Sequence, residues 1–184
     1  QLAYVNTMKE FGITKINQNW KDYKHHTDSY ILKKNYENNF SKKFDFSFIE
    51  SFEHRMTELI LSLKKVEEVR GAKNIIDYFF NRENYAVSFA TGSLLKPALV
   101  KLNQSKIKYH SELVIGSNRI FDREGIVKNA IKSAKEFYQV NAFENIISVG
   151  DGMWDFKTAQ NLGVHFIGIG MKNFADFNKQ NIKV

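Results

Sequence analysis

Two aspartates four residues apart, Asp151 and Asp155, stand in the sequence Gly150-Asp151-Gly152-Met153-Trp154-Asp155. An apolar run over residues 146–149 precedes them, so Asp151 is predicted at a strand end and Asp155 in the first turn of a helix. Carboxylates placed one turn apart can converge on one hard cation, and a site with few protein oxygens suits Mg²⁺. The alternative is a turn aspartate followed by one that interacts with the helix dipole. The Gly-Asp-Gly turn at a buried strand end favours the metal site.

A second polar loop, Thr91-Gly92-Ser93, follows an apolar run over residues 85–90. The Thr91 hydroxyl could bind a phosphate oxygen while the N–H groups of Gly92 and Ser93 point at the same anion. The alternative is that Thr91 or Ser93 is the N-cap of a helix over residues 94–104. Both interpretations place the loop between a strand and a helix.

Four short apolar runs alternate with helical periodicity after Gly71. The predicted strands are 85–90, 113–115, 146–149 and 164–169, and the predicted helices are 72–83, 94–104, 123–138 and 154–162. This alternation predicts an α/β fold, a Rossmann-like parallel sheet with helices on both faces. Ligands of such sheets bind beyond the carboxyl ends of the strands, where Thr91 and Asp151 are expected.

The sequence before Gly71 has a different, purely helical rhythm. Helices are predicted over 2–11, closed by Gly12, over 28–38, capped by Thr27 or Asp28, and over 46–67. The third has an apolar stripe at helical spacing: Phe48, Phe52, Met56, Leu59, Ile60 and Leu63. We therefore expect a small all-helical domain over residues 1–68 and an α/β core over residues 69–184.

Composition narrows the classes of function. The 184 residues include no cysteine, which excludes disulfides, thiolate metal sites and a cysteine nucleophile. The sequence contains no stretch of about 20 apolar residues and no signal-peptide pattern, so we expect a soluble, cytoplasmic protein without a membrane partner. The net charge of +7 attracts anions such as phosphorylated metabolites, and the lysines form no dense block of the kind that binds nucleic acid.

The ordered motifs resemble those of the haloacid dehalogenase-like hydrolase superfamily. Thr91-Gly92-Ser93 is similar to its motif II, and the segment from Gly150 to Asp155 is similar to its motif IV. The most specific stretch begins at Ser148 and continues through Ala159 and Leu162-Gly163 to Ile167-Gly168-Ile169. The match spans about residues 70–170, and residues 1–68 are similar to the helical C1-type cap of this superfamily.

Two residues compete for motif III, a basic residue that in this superfamily usually opens the helix before the motif IV strand. Arg123 has that placement, next to the predicted N-cap Asp122. Lys128 lies more than a turn inside the same helix, level with apolar side chains. Arg123 is favoured, although either residue also fits a solvated helix position.

The first motif of the superfamily, Asp-x-Asp at the end of the central strand, has no counterpart in the sequence. We expect it upstream of Gln1, because the strands before Thr91 and Asp151 otherwise lack the neighbour between them and expose two sheet edges. A catalytically inactive relative is the alternative.

The resemblance implies a Mg²⁺-dependent phosphatase, similar to phosphoglycolate phosphatase, that acts on a small phosphorylated metabolite through an aspartyl-phosphate intermediate. It implies that Thr91 and either Arg123 or Lys128 take the phosphoryl charge and that Asp151 and Asp155 bind Mg²⁺. Alternatives are a noncatalytic binding or scaffold protein and a basic nucleic-acid-binding protein. A monomer or a homodimer is expected.

Substrate specificity is expected in the helical cap. The polar cluster Lys24-His25-His26-Thr27-Asp28 stands at a predicted loop-to-helix junction, and histidine can change its charge near neutral pH. His25 and His26 are therefore candidate specificity residues, with a plain surface loop as the alternative.

Overall fold

The computed structural model describes residues 2–63, 65–170, 173–180 and 182. The chain divides into two compact units, Gln1–Tyr138 and Gln139–Val184. The α-helices are α1 (Leu2–Glu10), α2 (Asp28–Phe40), α3 (Ser47–Ser62), α4 (Ala72–Phe80), α5 (Leu95–Gln104), α6 (Arg123–Phe137), α7 (Met153–Leu162) and α8 (Phe174–Lys179). The strands are β1 (Phe89–Ala90), β2 (Val114–Ile115), β3 (Ile147–Gly150) and β4 (His165–Gly168), and short 3₁₀ turns cover Trp20–Asp22 and Ser111–Leu113.

Both units contain a pair of parallel strands. In the first unit Phe89 lies opposite Val114, so β1 pairs with β2, and in the second Ile147 lies opposite His165, so β3 pairs with β4. Among the described residues, β1 and β3 each have one strand neighbour and one edge without a strand partner. The parallel pairing of strands that alternate with helices confirms the predicted α/β class.

Local sequence signals fix four of the helix ends. The Thr27 hydroxyl accepts a hydrogen bond from the Tyr30 N–H, and the Asp122 carboxylate accepts one from the Gly125 N–H, so both are N-caps. Gly12 and Gly163 follow α1 and α7 with φ of 77° and 67°, a left-handed conformation that glycine adopts without steric cost. These four ends agree with the sequence-based predictions.

The core of the first unit is formed mainly by the N-terminal helices. The stripe of α3 buries Phe52, Met56 and Ile60 completely or nearly so, and Tyr4 of α1 packs edge-on against Phe52 with ring centroids 5.6 Å apart. Leu94, directly after the Thr91-Gly92-Ser93 loop, is fully buried in the same cluster. The helical residues and this loop therefore share one hydrophobic core.

Several elements are shorter than the sequence predicts, and one helix and one strand fall furthest short. Helix α3 ends at Ser62 and not at residue 67, because its buried stripe ends at Ile60 and Leu63 is 44% exposed, leaving nothing to pack a longer helix. The strand predicted over 85–90 is regular only at Phe89–Ala90, since β2 offers just two residues to pair with.

Among the residues that the structure describes, no helix is both long and apolar enough to cross a bilayer. The domain boundary near residue 68 stays a prediction. Gln1, upstream of which the Asp-x-Asp motif is expected, lies outside the described residues.

Candidate phosphate-binding site

The Thr91-Gly92-Ser93 loop begins where β1 ends. The Thr91 N–H donates to the Ile115 carbonyl at 2.9 Å, which extends the strand pairing by one residue, and the Ser93 N–H donates to Thr91 Oγ1 at 3.1 Å. The Gly92 N–H makes no hydrogen bond to any other residue that the structure describes. The Thr91 hydroxyl proton and the Gly92 N–H are therefore the donors of this loop that an anion could use.

Arg123, the first residue of α6, lies directly against this loop. A Cβ atom built on Gly92 would lie 2.9 Å from Arg123 Nη2 and 2.7 Å from the His26 carbonyl oxygen. Nη2 itself donates to that carbonyl at 3.3 Å. Only a residue without a side chain at position 92 allows the guanidinium to approach the loop backbone this closely.

Lys128, the other motif III candidate, is placed differently. It lies in the second turn of α6, and its side chain is exposed to solvent. The structure thus brings Arg123 to Gly92 and leaves Lys128 at the surface of the helix.

The His25-His26-Thr27-Asp28 segment lies against the same loop. The Asp28 N–H donates to the Gly92 carbonyl at 2.7 Å, and the Thr27 hydroxyl donates to the Phe121 carbonyl at 2.6 Å. Burial lowers the pKa of both His25 and His26, and the nearby Arg123 cation lowers the pKa of His26 further. These histidines are therefore biased towards the neutral form beside the loop.

Three side chains from distant parts of the chain cap the start of α5. Asp28 Oδ2 accepts from the Leu94 N–H at 3.1 Å, Asn118 Oδ1 from the Leu95 N–H at 2.8 Å, and Glu53 Oε1 from the Lys96 N–H at 2.8 Å. Neither Thr91 nor Ser93 caps the helix, so the N-cap interpretation of this pair is wrong. The physical reason is that Asp28, Asn118 and Glu53 already satisfy the N–H groups that an N-cap would serve.

Sequence reasoning missed Glu53 and Asn118. Glu53 carried a usable signal, because it occupies the buried stripe of α3 between Phe52 and Met56 and is only 5% exposed. A carboxylate at an apolar helical position needs a partner inside the protein. No signal near Asn118 indicates its role, which depends on a contact 23 residues away along the chain.

Asp151 and Asp155 lie in the second unit, at the end of β3 and in the first turn of α7 as the sequence predicts. Asp155 folds back, and its Oδ2 accepts from the Gly152 N–H at 3.3 Å. A Cβ on Gly150 would lie 2.7 Å from Asp155 Cβ, and one on Gly152 would overlap the Trp154 indole. Both glycines of the turn are therefore required by close packing.

The chemistry of this turn fits a magnesium ion that is only partly bound by protein. No group of three or more acidic, histidine or cysteine side chains comes together among the described residues. Mg²⁺ is commonly held by one or two carboxylates together with waters and a substrate phosphate. The exposed Asp151 carboxylate and that of Asp155 supply such a donor set.

A comparison with models of known protein families shows the family of this chain. Residues 2–169 match the haloacid dehalogenase-like hydrolase family. The chain belongs to this family. No curated protein matches the sequence.

Family membership confirms the resemblance that the motifs show. In this haloacid dehalogenase-like hydrolase, the Thr91-Gly92-Ser93 loop and Arg123 come together in the first unit, and the Gly150-Asp151-Gly152 turn with Asp155 forms part of the second. The chain is thus a hydrolase relative with an α/β fold.

Proposed function

We propose that this chain contains the phosphate-binding and magnesium-binding residues of a phosphatase that hydrolyses a small phosphorylated metabolite, as phosphoglycolate phosphatase-like members of the family do. The contact between Arg123 and Gly92 carries the proposal. A guanidinium beside a loop that offers a hydroxyl and an N–H is a suitable receptor for a phosphate dianion.

The loop residues would divide the charge of the phosphoryl group. The Thr91 hydroxyl and the Gly92 N–H donate to one oxygen, and the Arg123 guanidinium takes the charge on another. Lys128 is exposed on the second turn of α6, which supports Arg123 as the motif III residue. The overall charge of +7 would attract an anionic substrate.

Asp151 and Asp155 are the residues that would hold Mg²⁺. A magnesium ion held by these two carboxylates would supply positive charge that neutralises phosphate oxygens. Asp155 is held by its hydrogen bond from the Gly152 N–H, and the absence of a side chain at Gly150 leaves room for its carboxylate.

The proposed reaction needs a nucleophilic carboxylate. The 184 residues contain no Asp-x-Asp motif, and the described residues leave one edge of β1 without a strand neighbour. A strand along that edge would end beside Thr91. Its first aspartate would form a bond to phosphorus as the ester oxygen leaves, and its second aspartate would protonate that oxygen. Water would then release inorganic phosphate.

A noncatalytic phosphate-binding protein is the second candidate, which the missing Asp-x-Asp motif favours. The two candidates share the phosphate site and differ in turnover. Hydrolysis of an aryl phosphate by the whole protein, in Mg²⁺ and in EDTA, separates them. We expect turnover in Mg²⁺ and none in EDTA. Saturable phosphate binding without turnover in either condition identifies the noncatalytic protein, and undiminished turnover in EDTA rejects the magnesium site.

A further inference from the structure

Asp28, the first residue of α2, contacts the Thr91-Gly92-Ser93 loop, which is named the phosphate loop. Its N–H donates to the Gly92 carbonyl at 2.7 Å, and its Oδ2 accepts from Ser93 Oγ at 2.9 Å and from the Leu94 N–H at 3.1 Å. The N-cap of α2 is Thr27, so Asp28 is not needed to cap its own helix. One residue of the helical segment thus binds three consecutive residues that follow β1.

The backbone around Asp28 is itself firmly held. Tyr4 donates its hydroxyl to the Asp28 carbonyl, Thr27 donates to the Phe121 carbonyl, and Ser29 donates to the Ile120 carbonyl at 3.1 Å. Thr27 and Ser29 are buried, and so is Tyr4. None of these three bonds involves the loop, so the backbone around Asp28 is held independently of its contacts with Gly92 and Ser93.

The carboxyl group of Asp28 is partly buried. Burial raises its pKa above the ordinary value, while the hydrogen bonds from Ser93 and Leu94 act in the opposite direction. An enclosed carboxylate is costly unless it accepts hydrogen bonds. The Ser93 hydroxyl and the Leu94 N–H meet that need, which ties the conformation of the loop to this carboxylate.

We propose that Asp28 is a positioning residue for the phosphate loop, acting through Ser93 and Gly92 on the donors that bind the anion. The inference rests on the proposed phosphate site. Ser93 then serves to receive Asp28, since its hydroxyl bonds to that carboxylate and its N–H to Thr91. Through its bonds to Gly92 and Ser93, Asp28 would help to fix the directions of the Gly92 N–H and the Thr91 hydroxyl.

The test is a titration of the ¹⁵N-labelled chain with inorganic phosphate, followed by the amide signals of Gly92 and Leu94. Asp28→Asn keeps the size of the side chain and removes its charge, and Ser93→Ala removes the hydroxyl donor. We expect each variant to shift both amide signals in the free chain and to weaken phosphate binding about tenfold, as loss of a charge-assisted hydrogen bond should. Ser93→Thr keeps the hydroxyl and should retain binding.

Two comparisons make the result specific. Asp22→Asn is the matched control. Among the described residues, the Asp22 carboxylate accepts hydrogen bonds from the side chains of Asn17 and Asn19, so this variant should leave the loop signals and the phosphate affinity unchanged. The double variant, with both Asp28→Asn and Ser93→Ala, should bind phosphate as tightly as whichever single variant has the lower affinity. The reason is that both substitutions remove the same hydrogen bond between Asp28 and Ser93. The proposal is overturned if the losses of phosphate affinity in the two single variants multiply in the double variant. It is also overturned if the single variants bind phosphate as tightly as the unmodified chain.

Failure of the proposed function gives a different result. A chain that binds no phosphate in any form rejects the phosphate site, and the amide signals then decide the role of Asp28. A shift of the Asp28 amide signal in Ser93→Ala, absent in Asp22→Asn, supports positioning of the loop by Asp28, because Asp28 and Ser93 are 65 residues apart in the chain and meet through this contact. An unmoved signal overturns it, and Ser93→Ala provides this readout even if Asp28→Asn does not fold.

Discussion

The guanidinium of Arg123 donates from Nη2 to the main-chain carbonyl of His26 at 3.3 Å and packs against Gly92. The bond joins the start of α6 to the segment that precedes α2, 97 residues apart in the chain. It places a positive charge beside the loop whose Thr91 hydroxyl and Gly92 N–H are the proposed phosphate donors. The relationship between the helical segment and the phosphate loop is therefore part of the site itself.

Gly92 is expected to tolerate no side chain. A Cβ at this position would lie 2.7 Å from the His26 carbonyl oxygen, which is backbone and cannot rotate away. Gly92→Ala should therefore destabilise the first unit by about 1–3 kcal/mol, as overpacking does, and abolish phosphate binding. Urea unfolding measures the first effect. Gly71→Ala is a control for the steric clash, because no described atom lies within 4 Å of a Cβ built at Gly71. It is not a perfect match, because the φ of 86° at Gly71 adds backbone strain.

The His26 imidazole is expected to make stability depend on pH. Burial and the Arg123 cation lower its pKa in the folded chain, so the unfolded chain binds more protons as the pH falls below the ordinary histidine value. Stability from this group is present above pH about 6.5 and is lost as the pH falls through the lowered pKa. Urea unfolding at a series of pH values measures this dependence. Below that pH the free energy of unfolding should fall less for His26→Gln than for His54→Gln, whose imidazole is exposed on α3. Equal losses contradict the assignment.

The magnesium pair gives a prediction about activity. Asp151→Asn and Asp155→Asn should each lower aryl phosphate hydrolysis by the whole protein by roughly two orders of magnitude or more, because a carboxylate ligand is lost. Asp176→Asn, an exposed aspartate on α8, is the matched control. If Asp151→Asn and Asp155→Asn keep rates within a few-fold of the unmodified protein, these aspartates are not magnesium ligands.

His25 and His26 are predicted to govern the choice of substrate. His25 packs edge-on against Tyr30 with ring centroids 4.8 Å apart, and His26 adjoins Arg123, so both stand near the phosphate loop without belonging to it. His25→Ala or His26→Ala should change the preference among small phosphorylated metabolites and leave aryl phosphate hydrolysis within a few-fold. A substrate panel on both variants checks this. Equal losses on every substrate place specificity elsewhere.

Periodicity and capping signals predicted seven of the eight helices that the structure describes, and α8 was not among the predictions. Thr27, Asp122 and Gly163 mark helix ends through interactions within a few residues, which a local pattern contains. The length of β1 was not predictable, because a strand exists only where a partner pairs with it and β2 offers two residues. Local sequence sets the helices, and distant pairing sets the strands.

The candidate site divides in the same way. Residue type and spacing indicated Thr91, Asp151 and Asp155, and the family resemblance indicated Arg123. The contacts of Asp28 with Ser93 and of Glu53 with Lys96 join residues 65 and 43 apart in the chain, so no periodic pattern contains them. An acidic residue at a position predicted to be buried indicates that it has a hydrogen-bond partner, but only the fold determines which partner that is.

The central claim is that the Thr91-Gly92-Ser93 loop binds phosphate against Arg123. The most direct measurement is a titration of the ¹⁵N-labelled chain with inorganic phosphate, in the unmodified form and as Arg123→Ala and Lys128→Ala. We predict saturable shifts of the Thr91 and Gly92 amide signals that Lys128→Ala retains and Arg123→Ala loses. Loop signals that do not respond to phosphate, or that respond equally in the Arg123→Ala variant, would contradict the account.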